Sequence, residues 1–110
     1  MNFSEYQKKA LTTAIVNPDP LMDKTIWVMG VAGEAGEILE KWKKIVAYKD
    51  GKIEDDDLKE LSKELGDVVW YIAVLADSLG LSFDEIIKQN VEKLASRKQR
   101  GVQKGSGDNR

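Results

Sequence analysis

Apolar residues recur at steps of three and four along most of the chain, separated by turn-forming clusters, and this period predicts four helices. The first opens at Asn2 or Ser4, either a competent N-cap, and runs to about Ile15 with Phe3, Tyr6, Ala10, Leu11 and Ala14 on one side. Asn17-Pro18-Asp19-Pro20 ends it. A second helix is expected after Asp23 and continues to about Tyr48, where Lys49-Asp50-Gly51-Lys52 makes a turn. The third starts between Asp55 and Asp57, whose charges suit a helix N-terminus, and ends near Ser78 with Gly80 as C-cap. Ser82 and Glu85 form a capping-box pattern for the fourth, which runs to about Lys98.

The third helix carries the clearest seam: Leu58, Leu61, Leu65, Val68, Ile72, Leu75 and Leu79 alternate steps of three and four. Its later half, Val68 to Ala76, is apolar all round and calls for cover from other helices, its own or a partner's. No strand-like alternation or internal repeat is present. The expected fold is all-α, a four-helix bundle-type domain over residues 1–100, with residues 101–110 as a flexible basic tail rich in Gly, Ser, Asp and Asn. A domain this small buries little of its apolar surface alone, so self-association is expected.

Composition narrows the chemistry. The 110 residues are 42% hydrophobic and 33% charged, as in a folded soluble domain, and include neither His nor Cys. Imidazole or thiolate zinc sites, His-based triads, cysteine nucleophiles and disulfides are thereby excluded. The longest apolar run falls far short of the roughly 20 residues that span a bilayer. The N-terminus lacks the signature of a secretory signal, so a cytoplasmic location is expected. The net charge of −2 is uneven: the last fourteen residues carry +4 and the body −6. An acidic body disfavours nucleic acid as a partner.

Four carboxylates stand out against the apolar seams. Glu34 and Glu37 lie three apart on the second helix, where Trp27, Val31, Glu34, Ile38 and Ile45 form a seam and Glu34 takes an apolar residue's place. Gly30, Gly33 and Gly36, costly inside a helix, suit a close approach there. Glu64 and Asp67 repeat the spacing on the third helix and share a face with Tyr71 and Val74. Any one acid of the 19 in the chain reads as a surface residue or a partner of Lys41, Lys44 or Lys63. Two such pairs on consecutive antiparallel helices would instead repel and desolvate one another, a conflict that a divalent cation relieves. All-oxygen ligands suit Mg²⁺ or Mn²⁺; the Glu-x-x-His pairs of di-iron bundles cannot form without His.

The ordered set Glu34-Ala35-Gly36-Glu37, Glu64-Leu65-Gly66-Asp67 and Asn90, Lys93, Arg97 resembles the all-α nucleoside triphosphate pyrophosphohydrolases of the MazG-like type, with their E-x-x-E, E-x-x-D and N-x-x-K-x-x-x-R patterns. The resemblance covers roughly residues 3 to 100. It implies hydrolysis of a nucleoside triphosphate between the α and β phosphates to monophosphate and pyrophosphate, for example in nucleotide pool cleaning. Metal would be held by Glu34, Glu37, Glu64 and Asp67, with Glu37 or Glu34 activating the water. Lys93 and Arg97 would meet the phosphates, with Asn90 as a hydrogen-bond donor. Lys41 and Lys44, one to two turns beyond Glu37, read either as further phosphate contacts or as solvated lysines. The family's bundles associate as dimers, sometimes paired into tetramers, so the site is expected to need a second subunit. Trp27, Trp42, Trp70, Tyr71 and Tyr6 read either as core or as a base-stacking platform. A non-catalytic helical interaction module would explain the seams and the basic tail but not the placement of the acids.

Overall fold

The computed structural model describes residues 1–110 as α1 (Phe3–Leu11), α2 (Pro20–Lys49), α3 (Asp55–Ser78) and α4 (Phe83–Arg100), with no strand. Side chains fix where the helices begin. Asn2 accepts from the Glu5 amide at 2.8 Å while Glu5 accepts from the Asn2 amide at 3.0 Å, a complete capping box. Ser82 accepts from the Glu85 amide at 3.3 Å, but the Glu85 carboxylate takes its bond from Gln89 instead of closing the expected box. In the turn before α3, the Asp57 carboxylate accepts from the Glu54 amide at 2.9 Å.

Two boundaries differ from expectation. The first helix stops at Leu11 rather than near Ile15, because Thr12 and Thr13 turn their hydroxyls onto the carbonyls of Lys9 and Ala10 and the backbone tightens to bonds three residues apart. The second starts at Pro20 rather than after Asp23. Asp19 caps it, accepting from the Leu21 and Met22 amides, and Pro20 occupies a first-turn position where no amide hydrogen is needed. Asp23, buried, accepts from the Asn17 amide at 2.8 Å and ties the Pro-rich turn down.

α2 and α3 form an antiparallel hairpin closed by Asp50 and Gly51, whose φ of 51° and 78° place both in the left-handed region. Its centre is aromatic. The Trp27 ring meets Trp70 edge-on at 5.7 Å, Trp70 meets Tyr71 at 4.9 Å, and Ala73 and Val74 are buried beside them. α1 packs across this end of the hairpin through Ala10, Tyr6 and Leu11. Gln7 fastens it there: buried, it donates to the carbonyls of Ala73 and Leu81 and accepts from the Phe83 amide, joining α1 to the α3–α4 corner.

Part of the expected third-helix seam faces outward. Leu61, Val68, Ile72 and Leu75 are partly covered, whereas Leu58, Leu65 and Leu79 are exposed. The side that α3 turns to α2 carries Asp57, Leu61, Glu64, Val68 and Tyr71 instead. α2 likewise carries a second stripe, Val28, Ala32, Ala35, Leu39, Trp42 and Val46, which alternates steps of four and three and is exposed throughout. The radius of gyration is 17.0 Å, against about 13 Å for a compact chain of this length. α4 departs from α3 at 106°, and it touches α1 and α3 but not α2. No single helix is long and apolar enough to cross a membrane.

Candidate active site

The register of the hairpin brings the acids together. Gly30 lies against Tyr71 and Lys41 against Glu60 and Glu64, so Glu34 falls opposite Glu64 and Asp67. One carboxylate oxygen from each of Glu34, Glu64 and Asp67 lies within 4.8 Å of the other two. Glu34 and Glu64 are half-buried and Asp67 is exposed, so the cluster opens to solvent on one side. Desolvation first, then the charges of Asp67 and Glu64, hold the Glu34 carboxyl above its ordinary range. Such a trio fits a hard divalent cation: the donors are all oxygen, they come from two rigid helices, and the cation would remove a repulsion already felt at Glu34. Solvent on the open side leaves room for the waters and phosphate oxygens that Mg²⁺ retains.

The structure does not place Glu37 in this trio. It is exposed, one turn beyond Glu34, and its charge adds to the upward push on Glu34. Lys41 has a different setting from the expected phosphate contact: its ammonium bridges Glu64 at 3.3 Å and Glu60 at 3.4 Å. These bonds hold Lys41 protonated above its usual range. Lys44 pairs with Glu40 at 3.7 Å and, with Lys41, Lys49 and Tyr48, lines a cleft of about 170 Å³ between α2 and α3.

The close approach expected at the helical glycines occurs at one of them. A Cβ on Gly30 would stand 2.1 Å from Cδ1 and Cε1 of Tyr71, so only glycine admits the ring; Gly33 and Gly36 have nothing within 4 Å. Gly30 is one turn before Glu34 and Tyr71 one turn after Asp67, so this contact sets the helix separation beside the acids. Trp27 is buried and Trp70 donates to the Thr13 hydroxyl at 2.9 Å, which makes both structural, while Trp42 stands on the outer stripe of α2. Tyr6 packs against the core and feels the charge of the site. Burial, then the Asp67 charge, raise its phenol above the ordinary value. The apolar period places Tyr6 in the core but does not register the charge of a carboxylate sixty residues away.

Asn90, Lys93 and Arg97 lie together on α4, away from the acids. About 16 Å of helix separates Asp67 from the end of α3, and α4 then turns off at 106° without meeting α2. Asn90 and Lys93 line a hollow of about 310 Å³ with Ile86, Gln89 and Asp108. Arg97 is buried.

The chain matches the MazG nucleotide pyrophosphohydrolase domain over residues 24–102. It is 45% identical to the Gene 37 protein of Mycobacterium phage L5 across the full length of both chains. It is also 36% identical to the uncharacterized protein YvdC of Bacillus subtilis (strain 168), over 58% of this chain and 65% of that protein. No solved structure matches it. With the all-helical fold and the acids of α2 and α3 facing one another, these matches show that the chain belongs to the MazG nucleotide pyrophosphohydrolase domain family.

Proposed function

We propose that this protein hydrolyses nucleoside triphosphates between the α and β phosphates, releasing a nucleoside monophosphate and pyrophosphate, in a reaction that needs Mg²⁺ or Mn²⁺. The observation that carries this reading is the convergence of Glu34, Glu64 and Asp67 within 4.8 Å, in a chain whose family is named for nucleotide pyrophosphohydrolysis. A bound divalent cation supplies charge neutralisation at phosphate oxygens and acidifies water. Glu34, Glu64 and Asp67 hold and orient the cation from two helices whose spacing Tyr71 and Gly30 fix. Glu37, exposed and outside the trio, keeps a carboxylate free to orient the attacking water and accept its proton. Lys41 balances the charge of Glu64 and keeps that side chain in place.

Lys93 and Arg97 enter this reading through assembly. Within one chain they stand on a separate arm, so their contact with substrate phosphates calls for a second copy, and a homodimer or homotetramer is part of the proposal. The unpartnered stripe from Val28 to Val46 on α2, with Leu58, Leu65 and Val69 on α3, supports it. Removal of altered nucleotides from the cytoplasmic pool suits such an activity.

Asp67→Asn tests the reading. It keeps the side chain's shape but removes one ligand charge, so turnover should fall at least about a hundredfold. The metal-free variant should be at least as stable as the parent, because repulsion drops. Wild-type turnover by this variant would refute the assignment and make a helical interaction module the better account.

A further inference from the structure

Two cations one turn apart on α4, Lys93 and Arg97, converge on a single oxygen of Asp108. Lys93 Nζ lies 2.9 Å and Arg97 Nη2 3.0 Å from Asp108 Oδ1, and the same Arg97 nitrogen donates to the Asp108 carbonyl at 2.6 Å. The arrangement is a built oxyanion receptor. Arg97 is only 7% exposed, and its Nε is buried with no hydrogen-bond partner, so the guanidinium retains a donor that Asp108 does not satisfy. Beside it Asn90 and Lys93 line the hollow of about 310 Å³, which has room for an anion larger than a carboxylate.

The tail that brings Asp108 there has its own fastening. Gly101 and Gly107, with φ of 69° and 84°, turn the chain back. Arg110 then donates to the carbonyls of Val102, Gln103 and Gly107 at 3.2, 3.1 and 2.6 Å, while Arg100 donates to the Arg110 carbonyl at 3.0 Å. These bonds are local to the tail and the last turns of α4. The Asp108 side chain is 75% exposed, so the bond that closes over the cations is a weak, solvent-accessible one.

We infer that the C-terminal segment 101–110 is an internal competitor, with Asp108 occupying the place on Lys93 and Arg97 that a pyrophosphate or triphosphate group takes when the segment swings away. This inference rests on the reading that Lys93 and Arg97 receive substrate phosphates, and it adds that their availability is regulated by the protein's own tail. The closed tail lowers apparent affinity by the fraction of molecules that are open, without altering the acids of α2 and α3.

Inorganic pyrophosphate is the probe, titrated calorimetrically into the full-length protein without divalent metal. Asp108→Ala should bind it about three- to tenfold more tightly than the parent, the range expected for removing an exposed but charge-assisted competitor. Adding Lys93→Ala to Asp108→Ala should abolish the gain. Deleting residues 103–110 should reproduce it, which guards against an effect peculiar to one side chain. Equal affinity for parent and Asp108→Ala, no binding by either, or a gain that survives Lys93→Ala would overturn the inference. Because the titration measures no hydrolysis, a protein that binds as expected but cleaves nothing would refute the hydrolase reading alone. A protein that cleaves triphosphates but shows no tail effect would refute the tail alone.

Discussion

Replacing Gly30 with Ala puts the contact that spaces the two acidic helices under direct strain. The new Cβ would lie 2.1 Å from two Tyr71 ring carbons and 2.7 Å from a third. Ordinary carbon contact is near 3.6 Å, so the ring or the helix must move by roughly 1.5 Å. Trp27 and Trp70, whose rings stand 6.1 and 4.9 Å from that of Tyr71, leave it little freedom. An overlap this deep against a confined ring falls in the upper part of the usual overpacking range, about 2–3 kcal/mol. Alanine's better helix propensity returns about 1 kcal/mol. The net loss should be about 1–2 kcal/mol, or a Tm lower by about 5–10 °C for a domain of this size. Gly33→Ala is the matched control, since nothing lies within 4 Å of its Cβ and propensity alone should raise stability by up to about 1 kcal/mol. Circular dichroism melts at one fixed protein concentration would read both. A Gly30→Ala protein as stable as the parent would refute the close-approach argument.

The pH dependence of metal-free stability should carry the sign of Glu34. Desolvation and then the neighbouring carboxylates raise its folded pKa, so its contribution is fully favourable at low pH and is lost as pH rises through that value. Melts between neutrality and about pH 5 should therefore rise on acidification, and Glu34→Gln should flatten them. Below about pH 4 stability should fall. The Glu54 amide and Lys49 depress Asp57, Lys63 and Lys41 depress Glu60, and Lys93 and Arg97 depress Asp108, so their stabilisation is lost as they protonate. A metal-free melt that falls steadily from neutrality to pH 5 would contradict the clustering. Light scattering at micromolar concentration should give at least a dimer's mass, and a monomer would refute the role given to the outer stripes of α2 and α3.

Much of the fold is legible in the pattern because helical period and capping chemistry are local. Ser82 and Asp55 to Asp57 mark starts that the structure keeps. Thr12 and Thr13 shorten α1 by bonding their own backbone, a choice the apolar period cannot register. The limits of period are clearer on α3. Leu58, Leu65 and Leu79 obey the same spacing as Leu61 and Leu75, but only a packed neighbour distinguishes an inward seam from an outward one. For the acids, the i,i+3 spacing puts each pair on one side of its helix, and the hairpin register brings Glu34, Glu64 and Asp67 together. Glu37 has the same spacing but is exposed and outside the trio, which depends on how α3 packs on α2 and not on spacing along one helix. The basic pair and the acids share one chain but not one arm, and a competing carboxylate at Asp108 depends on how a glycine-rich segment turns, which no periodicity encodes.

Phosphorus NMR of the products distinguishes cleavage between the α and β phosphates from cleavage at the γ phosphate. A panel of canonical and modified nucleoside triphosphates should be incubated with the full-length protein, Mg²⁺ and, in parallel, EDTA. At least one substrate should give monophosphate and pyrophosphate in equal amounts, with no orthophosphate and no turnover in EDTA. Diphosphate with orthophosphate, undiminished turnover in EDTA, or no turnover of any substrate would contradict it.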